Sequence, residues 1–451
     1  MLAIVVASPA QQAAPPPGLT LSQAVEGALR NYPSIRVSQE QINAAAAGIQ
    51  LARTAYLPRI DVLAQANRAT RNNVFGLLLP QGTLPSMSGP VLGTNNLGSA
   101  WGSAIGTLVT WEPFDFGLRK ASVAVANTAR AQQEAVLKRT QFDVTVAAAD
   151  AYVTLVAAQE TVRAAQAGVD RAEVLSRTTG ALVNSQLRPG ADASRAQAEL
   201  AAARTQLIQA QQAVDVSRAN LSRFVGLEPA QITVSAPRLL QLPLPATVPP
   251  LDTAANPLSL EQNAVVEQLR AQLRVLERSY FPRFYLQGAT YARGTGAEVN
   301  GTNLGGLNGL APTTQDYALG FTMTFPVMDR ISIQAREVGQ SATIRAETAR
   351  YQQIATDLKA RWNVAVATLG GARNVAANTP LQVAAARAAT EQATARYRSG
   401  LGNIDEVAEA QRLLAQAEID DALARLGIWR GLLGVAAAAG DIQPFLAEES
   451  Q

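Results

Sequence analysis

The sequence predicts an α+β protein that combines long helical hairpins with four β-strands suited to a membrane. Three observations support this fold class. One structural plan occurs twice along the chain, two long tracts show heptad spacing, and short segments alternate apolar residues with small or polar ones. Repeats, heptads and strands with a single apolar face are each typical of a definite architecture.

The repeat consists of two blocks with constant offsets. Residues 56–59 (YLPR) return 224 positions later as 280–283 (YFPR), and residues 109–111 (VTW) return 214 positions later as 323–325 (MTF). One change of offset, in the loop between two strands, indicates that a folded unit was duplicated. The expected divisions of the chain are a first repeat over 19–238, a proline-rich linker over 239–256, a second repeat over 257–444 and a C-terminal tail over 445–451.

The composition excludes several classes of function. The 451 residues include no cysteine and no histidine, which removes thiol and imidazole catalysis, disulfides and the usual zinc sites. The sequence contains no nucleophile–base pair, metal cluster or phosphate-binding loop, so it predicts neither an enzyme nor a cofactor. A net charge of +3 without clustered basic residues argues against a nucleic-acid partner.

The first residues resemble the end of a secretory signal. A short apolar stretch, Leu2–Val6, precedes small residues and a proline-rich leader that ends at residue 18. The usual basic region before the apolar stretch is missing, so we expect the true translation start upstream of Met1. The alternative interpretation is a disordered leader rich in alanine and proline.

Each repeat begins with helices. Thr20 or Ser22 can cap a short first helix, and Pro33 sits where a second helix starts. Pro58 ends that second helix, since proline cannot continue it. The second repeat has a matching helix over 258–280.

Four segments alternate in the manner of membrane strands, with expected bounds of about 59–70, 100–112, 283–293 and 316–326. In the last of them, Tyr317 and Leu319 fall on one face, opposite small or polar residues. The terminal aromatic residues Trp111 and Phe325 are expected at the membrane interface. A soluble half-buried strand would alternate in the same way, but four strands beside uncharged loops such as Asn72–Gly98 favour the membrane.

A long helical hairpin follows each strand pair. The first is expected over 117–225 and the second over 329–434. Apolar residues at steps of seven predict left-handed supercoiling of the helices. Pro380 predicts a kink or a break in the second tract, because proline removes a helical hydrogen bond.

The turns of the two hairpins contain glycines that do not match the repeat. Gly190 follows Arg188 and Pro189 in the first hairpin, while Gly400 and Gly402 lie in the second. Gly190 and Gly400 are 210 positions apart, whereas the helices beyond them return to an offset of 214. The sequence therefore predicts that the duplication is irregular at the hairpin ends.

This order of elements resembles the TolC-like outer membrane efflux proteins from Leu19 to about Pro444. The resemblance is carried by the junctions at 56–59 and 280–283, by residues 113–117 (PFDFG) before the first long helix, and by the hairpin ends. It implies a homotrimer in which each chain gives four strands to a twelve-stranded β-barrel and its hairpins to a periplasmic α-barrel. Closure is also required physically, because the edges of an open sheet are unsatisfied in lipid.

The resemblance further implies a gate at the hairpin ends. The family's Tyr-x-x-Gly turn matches Tyr397 and Gly400, which puts Glu406 and Glu409 at the acidic positions of the entrance. The offset of 214 places Asp192 opposite Glu406. Three copies of such carboxylates around an axis would favour the entry of cations.

These assignments leave alternatives open. Acidic residues favour the first turn of any helix, so Asp192, Asp405 and Glu406 have a purely structural interpretation as well. The family ties its closed ends with a basic residue where this chain has Gly402, and Arg398 is the candidate substitute. The expected adaptor contacts at the hairpin ends are Arg188, Pro189, Gly190, Gly400 and Gly402.

The resulting functional prediction is a passive exit duct in the outer membrane of a Gram-negative cell. Its expected partners are outer-membrane lipid, a periplasmic adaptor (membrane fusion) protein and an inner-membrane RND or ABC transporter. Small-molecule efflux and type I protein secretion both fit the sequence. A soluble coiled-coil structural protein would explain the heptads but not the four alternating strands.

Overall fold

The computed structural model describes residues 18–70, 99–243, 248, 250–296, 298, 302 and 304–450. The expected signal remnant before residue 18 and the uncharged loop Asn72–Gly98 lie outside the described residues. Within them, the elements follow in the order α1 (Leu21–Asn31), α2 (Pro33–Thr54), β1 (Arg59–Thr70), β2 (Ser99–Phe114), α3 (Leu118–Asn184), α4 (Gly190–Val225), α5 (Pro257–Ser279), β3 (Arg283–Thr295), β4 (Thr314–Thr324), α6 (Asp329–Arg398), α7 (Ile404–Ala439) and α8 (Gln443–Ser450). The predicted α+β class is confirmed.

The chain divides into two compact units that do not coincide with the two sequence repeats. The first unit comprises Met1–Glu40, Glu134–Gln262 and Arg350–Gln451, and the second comprises Gln41–Gln133 and Asn263–Ala349. Each unit therefore takes segments from both repeats. The division into a first repeat, linker and second repeat stays a prediction about the origin of the chain.

The second unit contains one antiparallel sheet in the order β1-β2-β3-β4. Its register aligns Ile60 with Val109, Val109 with Gly288, and Gly288 with Leu319. Because side chains alternate between faces, this row and its neighbours two residues away define one face of the sheet. We call it the apolar face; its exposed large members are Ile60, Val62, Ile105, Trp111, Leu286, Tyr317, Leu319, Phe321 and Met323.

The opposite face of the sheet carries most of the charged residues; Arg68, near the end of β1, is on the apolar face, where it lies over the Trp101 ring at 5.5 Å. Arg293 and Asp316 form an ion pair of 3.2 Å across β3 and β4, and Arg59 pairs with Asp61 at 3.0 Å. The alternation predicted for single strands therefore continues in register across the whole sheet. β1 and β4 are its two edges in the part of the chain that the structure describes.

Matching aromatic contacts join helix to strand in both repeats. The indole of Trp111 donates to the Tyr56 carbonyl at 3.1 Å, and the ring of Phe325 meets Tyr280 edge-on, with centroids 5.5 Å apart. Arg119 and Arg330 lie over the rings of Tyr56 and Tyr280 at 4.8 and 4.6 Å. These contacts fix the points where α2 and α5 turn into the sheet.

The first unit has its core where α1, α3, α4, α7 and α8 meet. Trp429 and Tyr152 are fully buried there. Their polar groups are satisfied, since the Trp429 indole donates to the Gln241 carbonyl at 2.9 Å and the Tyr152 hydroxyl donates to the Leu19 carbonyl at 2.8 Å. Burial of the Tyr152 hydroxyl raises its pKa.

Three expectations about the second hairpin need correction. The prediction at Pro380 is a kink or a break; α6 continues through Pro380, so the break is wrong. α7 runs to Ala439 rather than ending near residue 434. Most of the expected tail over 445–451 belongs to α8, whose Phe445 is buried against Trp429. α7 is long and apolar enough to cross a membrane by length and composition alone, but half of its most apolar stretch is buried within the protein.

Candidate functional site

The two hairpin turns are copies of each other in the first unit. Leu187 N–H donates to the Leu182 carbonyl at 2.9 Å, and Leu401 N–H donates to the Arg396 carbonyl at 2.9 Å. The companion bonds also match in pairs that are 214 positions apart: Ser185 to Ala181 with Ser399 to Ala395, and Gln186 to Val183 with Gly400 to Tyr397. The first turn therefore ends α3 and the second turn ends α6 with the same pattern of hydrogen bonds.

The predicted irregularity of the duplication at the hairpin ends is wrong. The residue equivalent to Gly400 is Gln186 rather than Gly190, and the two have positive φ values of 80° and 60°. The offset of 214 also relates the ends of α3 and α6, at Asn184 and Arg398. Gly190 is the first residue of α4, directly after Pro189 at its N-cap.

Tyr397 and Asp192 are brought together across the two hairpins. The Tyr397 hydroxyl donates to Asp192 Oδ2 at 3.0 Å. Burial of this hydroxyl raises the pKa of Tyr397, and the neighbouring Asp192 carboxylate raises it further. The phenol therefore stays protonated at neutral pH and remains a hydrogen-bond donor.

Arg188 makes the second connection between the hairpins. Its Nη2 donates to the Tyr397 carbonyl and lies 3.5 Å from the Gly402 carbonyl oxygen. The guanidinium also lies over the Tyr397 ring, 4.4 Å from the ring centroid. The candidate residues Arg188, Asp192, Tyr397 and Gly402 thus form one cluster, which we call the tip clamp.

A small apolar core supports the tip clamp. Tyr397 is only 1% exposed and packs with Leu175, Ile404 and Val407. These residues come from α3, α6 and α7, so the ring is held by both hairpins. A buried ring in a well-packed site has few alternative rotamers, which fixes the direction of its hydroxyl.

The other acidic candidates have arginine partners within the same chain. Glu406 lies 3.7 Å from Arg396, and Glu409 pairs with Arg412 one turn away. Asp405 lies 3.4 Å from Arg195 of the first hairpin. The α7 N-cap itself is Asn403, whose side chain accepts from the Glu406 N–H at 2.9 Å. These side chains are solvent-exposed, so each pair contributes little to stability.

Arg398 and the leucines of the turns complete the hairpin ends. Arg398 lines a cleft of about 370 Å³ together with Asp170 and Tyr397, whereas Arg188 makes the contacts to the turn carbonyls. Leu187 and Leu401 are equivalent residues, 69% and 74% exposed at the two turns. The sequence prediction did not include these leucines, although the offset of 214 was sufficient to find them.

These features define a class of protein. A four-stranded sheet with one exposed, mainly apolar face, in a chain that also forms two long helical hairpins with clustered polar ends, is typical of the protomer of an outer-membrane channel.

The sequence matches the outer membrane efflux protein family over residues 24–227 and 253–441. The chain belongs to that family and is a protein of the Gram-negative outer membrane. None of the curated proteins matches it.

Solved structures of outer-membrane channels share the fold. The outer-membrane channel OprN is 22% identical over 93% of this chain and 89% of its own, with a TM-score of 0.72. The CmeC outer membrane channel of Campylobacter jejuni is 16% identical over 96% and 89%, with a TM-score of 0.74. VceC of Vibrio cholerae is 17% identical over 93% and 96%, with a TM-score of 0.71.

Proposed function

We propose that this protein is the outer-membrane exit duct of a tripartite efflux system. It conducts small molecules passively to the exterior and catalyses no reaction. The observation that carries the proposal is the sheet, which combines an exposed face of large apolar side chains with two edges that have no partner strand among the described residues. Such a face is stable against lipid and costly in water.

The sheet edges support a homotrimer. β1 and β4 each have a partner on one side only within the described residues, and unpaired backbone groups cost several kcal/mol each in lipid. Pairing β1 of one chain with β4 of the next satisfies both edges. Three chains would then give a closed barrel of twelve strands, as the resemblance to the TolC-like proteins implies.

The ends of the apolar face support its placement across the membrane. Trp111 is half-exposed at the end of β2, and Phe325 follows the last residue of β4. Aromatic residues with a polar anchor are favoured at the level of the lipid headgroups. We propose that both residues lie at the membrane interface nearer to the helices.

The hairpin ends fit a gate and an adaptor-binding surface on the periplasmic side. Tyr397, Arg398, Asp192, Glu406 and Glu409 are the proposed gate residues. Exposed leucines at both turns give a docking protein an apolar contact beside polar groups. The proposed adaptor contacts are Leu187 and Leu401 together with Arg188, Pro189, Gly190, Gly400 and Gly402. The partner is a periplasmic adaptor joined to an inner-membrane RND or ABC transporter.

The duct is tested by reconstitution and by deletion. The purified protein should migrate as a trimer and give conductance steps of uniform size in planar bilayers. Deleting its gene should make cells sensitive to small toxic compounds, and expression from a plasmid should restore resistance. Recovery in the soluble periplasmic fraction without conductance contradicts the proposal.

The same experiment separates efflux from type I secretion. A deletion that leaves drug resistance unchanged but abolishes export of a specific protein would assign the duct to secretion. Conductance and trimer formation are expected in both cases, because the duct is the same.

A further inference from the structure

We infer that Arg188 of the first hairpin is the positioning residue that holds the second hairpin's turn in place, and that losing its contacts frees that turn. The inference rests on the proposed function as a duct, whose entrance these turns would form. It assigns to one residue a role that the sequence left to Gly402 or Arg398.

The contacts of Arg188 all converge on one short segment. The guanidinium donates to the Tyr397 carbonyl, lies 3.5 Å from the Gly402 carbonyl oxygen and stacks on the Tyr397 ring at 4.4 Å. Nη2 has two N–H groups that can reach both carbonyl oxygens while the planar guanidinium covers the ring, and a lysine ammonium has no planar face to stack. One side chain therefore restrains both ends of the turn between α6 and α7.

Arg188 and Gly402 are equivalent positions, because they are 214 residues apart in two turns with matching hydrogen bonds. A Cβ atom at residue 402 would lie 3.2 Å from Arg396 Cβ and 3.2 Å from Glu406 Oε2. A longer side chain at that position would require its neighbours to shift. The basic group at this turn comes from the first hairpin, while Gly402 presents its carbonyl to Arg188 and donates its N–H to the Arg396 carbonyl at 3.1 Å.

The ion pairs that join the two hairpins near this end are longer and more exposed; one of them, Arg412 with Glu199, spans 4.0 Å. Arg195 and Asp405 are 3.4 Å apart, but their side chains are 47% and 68% exposed, so solvent screens the pair. Arg188 is half-buried, and its bonds are charge-assisted. Arg188 restrains the backbone carbonyl and the ring of Tyr397, and Asp192 accepts a hydrogen bond from its hydroxyl.

The test compares Arg188→Ala, Arg188→Lys and the control Arg177→Ala. Arg177 lies in α3, the helix that leads into the turn containing Arg188, is largely exposed and pairs with Glu173 of its own helix at 3.7 Å. Because the chain has no cysteine, Leu187→Cys and Leu401→Cys can be spin-labelled selectively, with labelled chains diluted into unlabelled trimers. The distance between the two labels reports directly on the turns and requires no conduction.

We expect a narrow distance distribution in the parent protein and in Arg177→Ala. Arg188→Ala should broaden it and raise the open-to-closed ratio of the channel on the order of tenfold, because charge-assisted hydrogen bonds are lost. Arg188→Lys should lie between the two, since the charge remains and the planar fork is lost. An unchanged distribution in Arg188→Ala overturns the inference, even if the channel conducts normally. A broadened distribution in a protein without conductance would support the clamp and contradict the duct.

Discussion

At the scale of single residues, the hairpin ends are less acidic than their carboxylates alone suggest. Glu406 and Glu409 have Arg396 and Arg412 beside them in the same chain. Each pair is nearly neutral at a distance, so the electric field at the hairpin ends, the proposed entrance, depends on both members of each pair. If the two carboxylates are removed, the positive charges of Arg396 and Arg412 therefore remain at the hairpin ends.

Replacing both acids with their amides should change ion selectivity. The variant Glu406→Gln/Glu409→Gln removes two negative charges, takes the ion-pair partner from Arg396 and leaves Arg412 only its 4.0 Å contact with Glu199, so preference should shift from cations toward anions. The measurement is the reversal potential across a planar bilayer in a salt gradient, and the shift should shrink at high salt because of screening.

Glu267→Gln is the matched control for this change. Glu267 forms an exposed pair with Arg270 three residues later, as Glu409 does with Arg412, but lies in the other compact unit. Its replacement should leave selectivity unchanged. Unchanged selectivity in the double variant would show that Glu406 and Glu409 are ordinary helix-start residues.

Part of the candidate site was predictable from local patterns. The Tyr-x-x-Gly turn and the offset of 214 singled out Tyr397 and Asp192, which the structure joins by a hydrogen bond. The role of Arg188 was not predictable in the same way, because its partners lie 209 and 214 residues away in sequence. Gln186 was missed because glycine is the usual residue at positive φ, and an ordinary side chain there costs about 1 kcal/mol.

At the scale of elements, α6 shows how packing overrides a local signal. Pro380 leaves the Ala376 carbonyl without its helical donor, which predicts a kink or break. The helix continues because α7 holds the adjoining stretch. Thr379 donates to Asp421 at 2.8 Å, and Ala376 is buried in a cluster with Ala424 and Ile428.

Restoring the missing donor should stabilise the protein. Pro380→Ala supplies an N–H to the Ala376 carbonyl and should raise the unfolding free energy by roughly 1–3 kcal/mol, since proline costs about 3 kcal/mol in a helix interior. Thermal unfolding of the purified protein measures the change. A lower midpoint would mean that the local backbone is adapted to the proline ring.

Pro229→Ala provides the comparison. Pro229 begins a short 3₁₀ turn, Pro229–Gln231, where no intrahelical donor is needed. Removing this proline should change the midpoint little. Equal stabilisation in both variants would point to a general effect of proline on the unfolded chain rather than to the helix.

At the scale of the whole molecule, the duplication accounts for much of what the sequence predicted. The ends of α4 and α7, at Val225 and Ala439, are 214 positions apart and are both followed by a left-handed glycine. Heptads and alternation were enough to find both hairpins and all four strands. The pairing order of the strands and the division of the chain into two compact units have no local signature in the sequence. Both were found only in the structure.

The apolar face of the sheet makes the membrane assignment testable with two adjacent residues. Leu319 lies on that face and is 77% exposed, whereas Ala318 points to the opposite face of the same strand. Arginine facing lipid near the bilayer midplane costs about 2–4 kcal/mol per chain, and a trimer incurs that cost three times. Leu319→Arg should therefore greatly reduce the amount of the proposed trimer that is recovered in the outer-membrane fraction. Ala318→Arg should leave the trimer in place and alter conductance instead.

If the sheet were a soluble half-buried one, Leu319→Arg would be the milder change, because an exposed position tolerates charge in water. The order of the two effects therefore decides between lipid and water at this face.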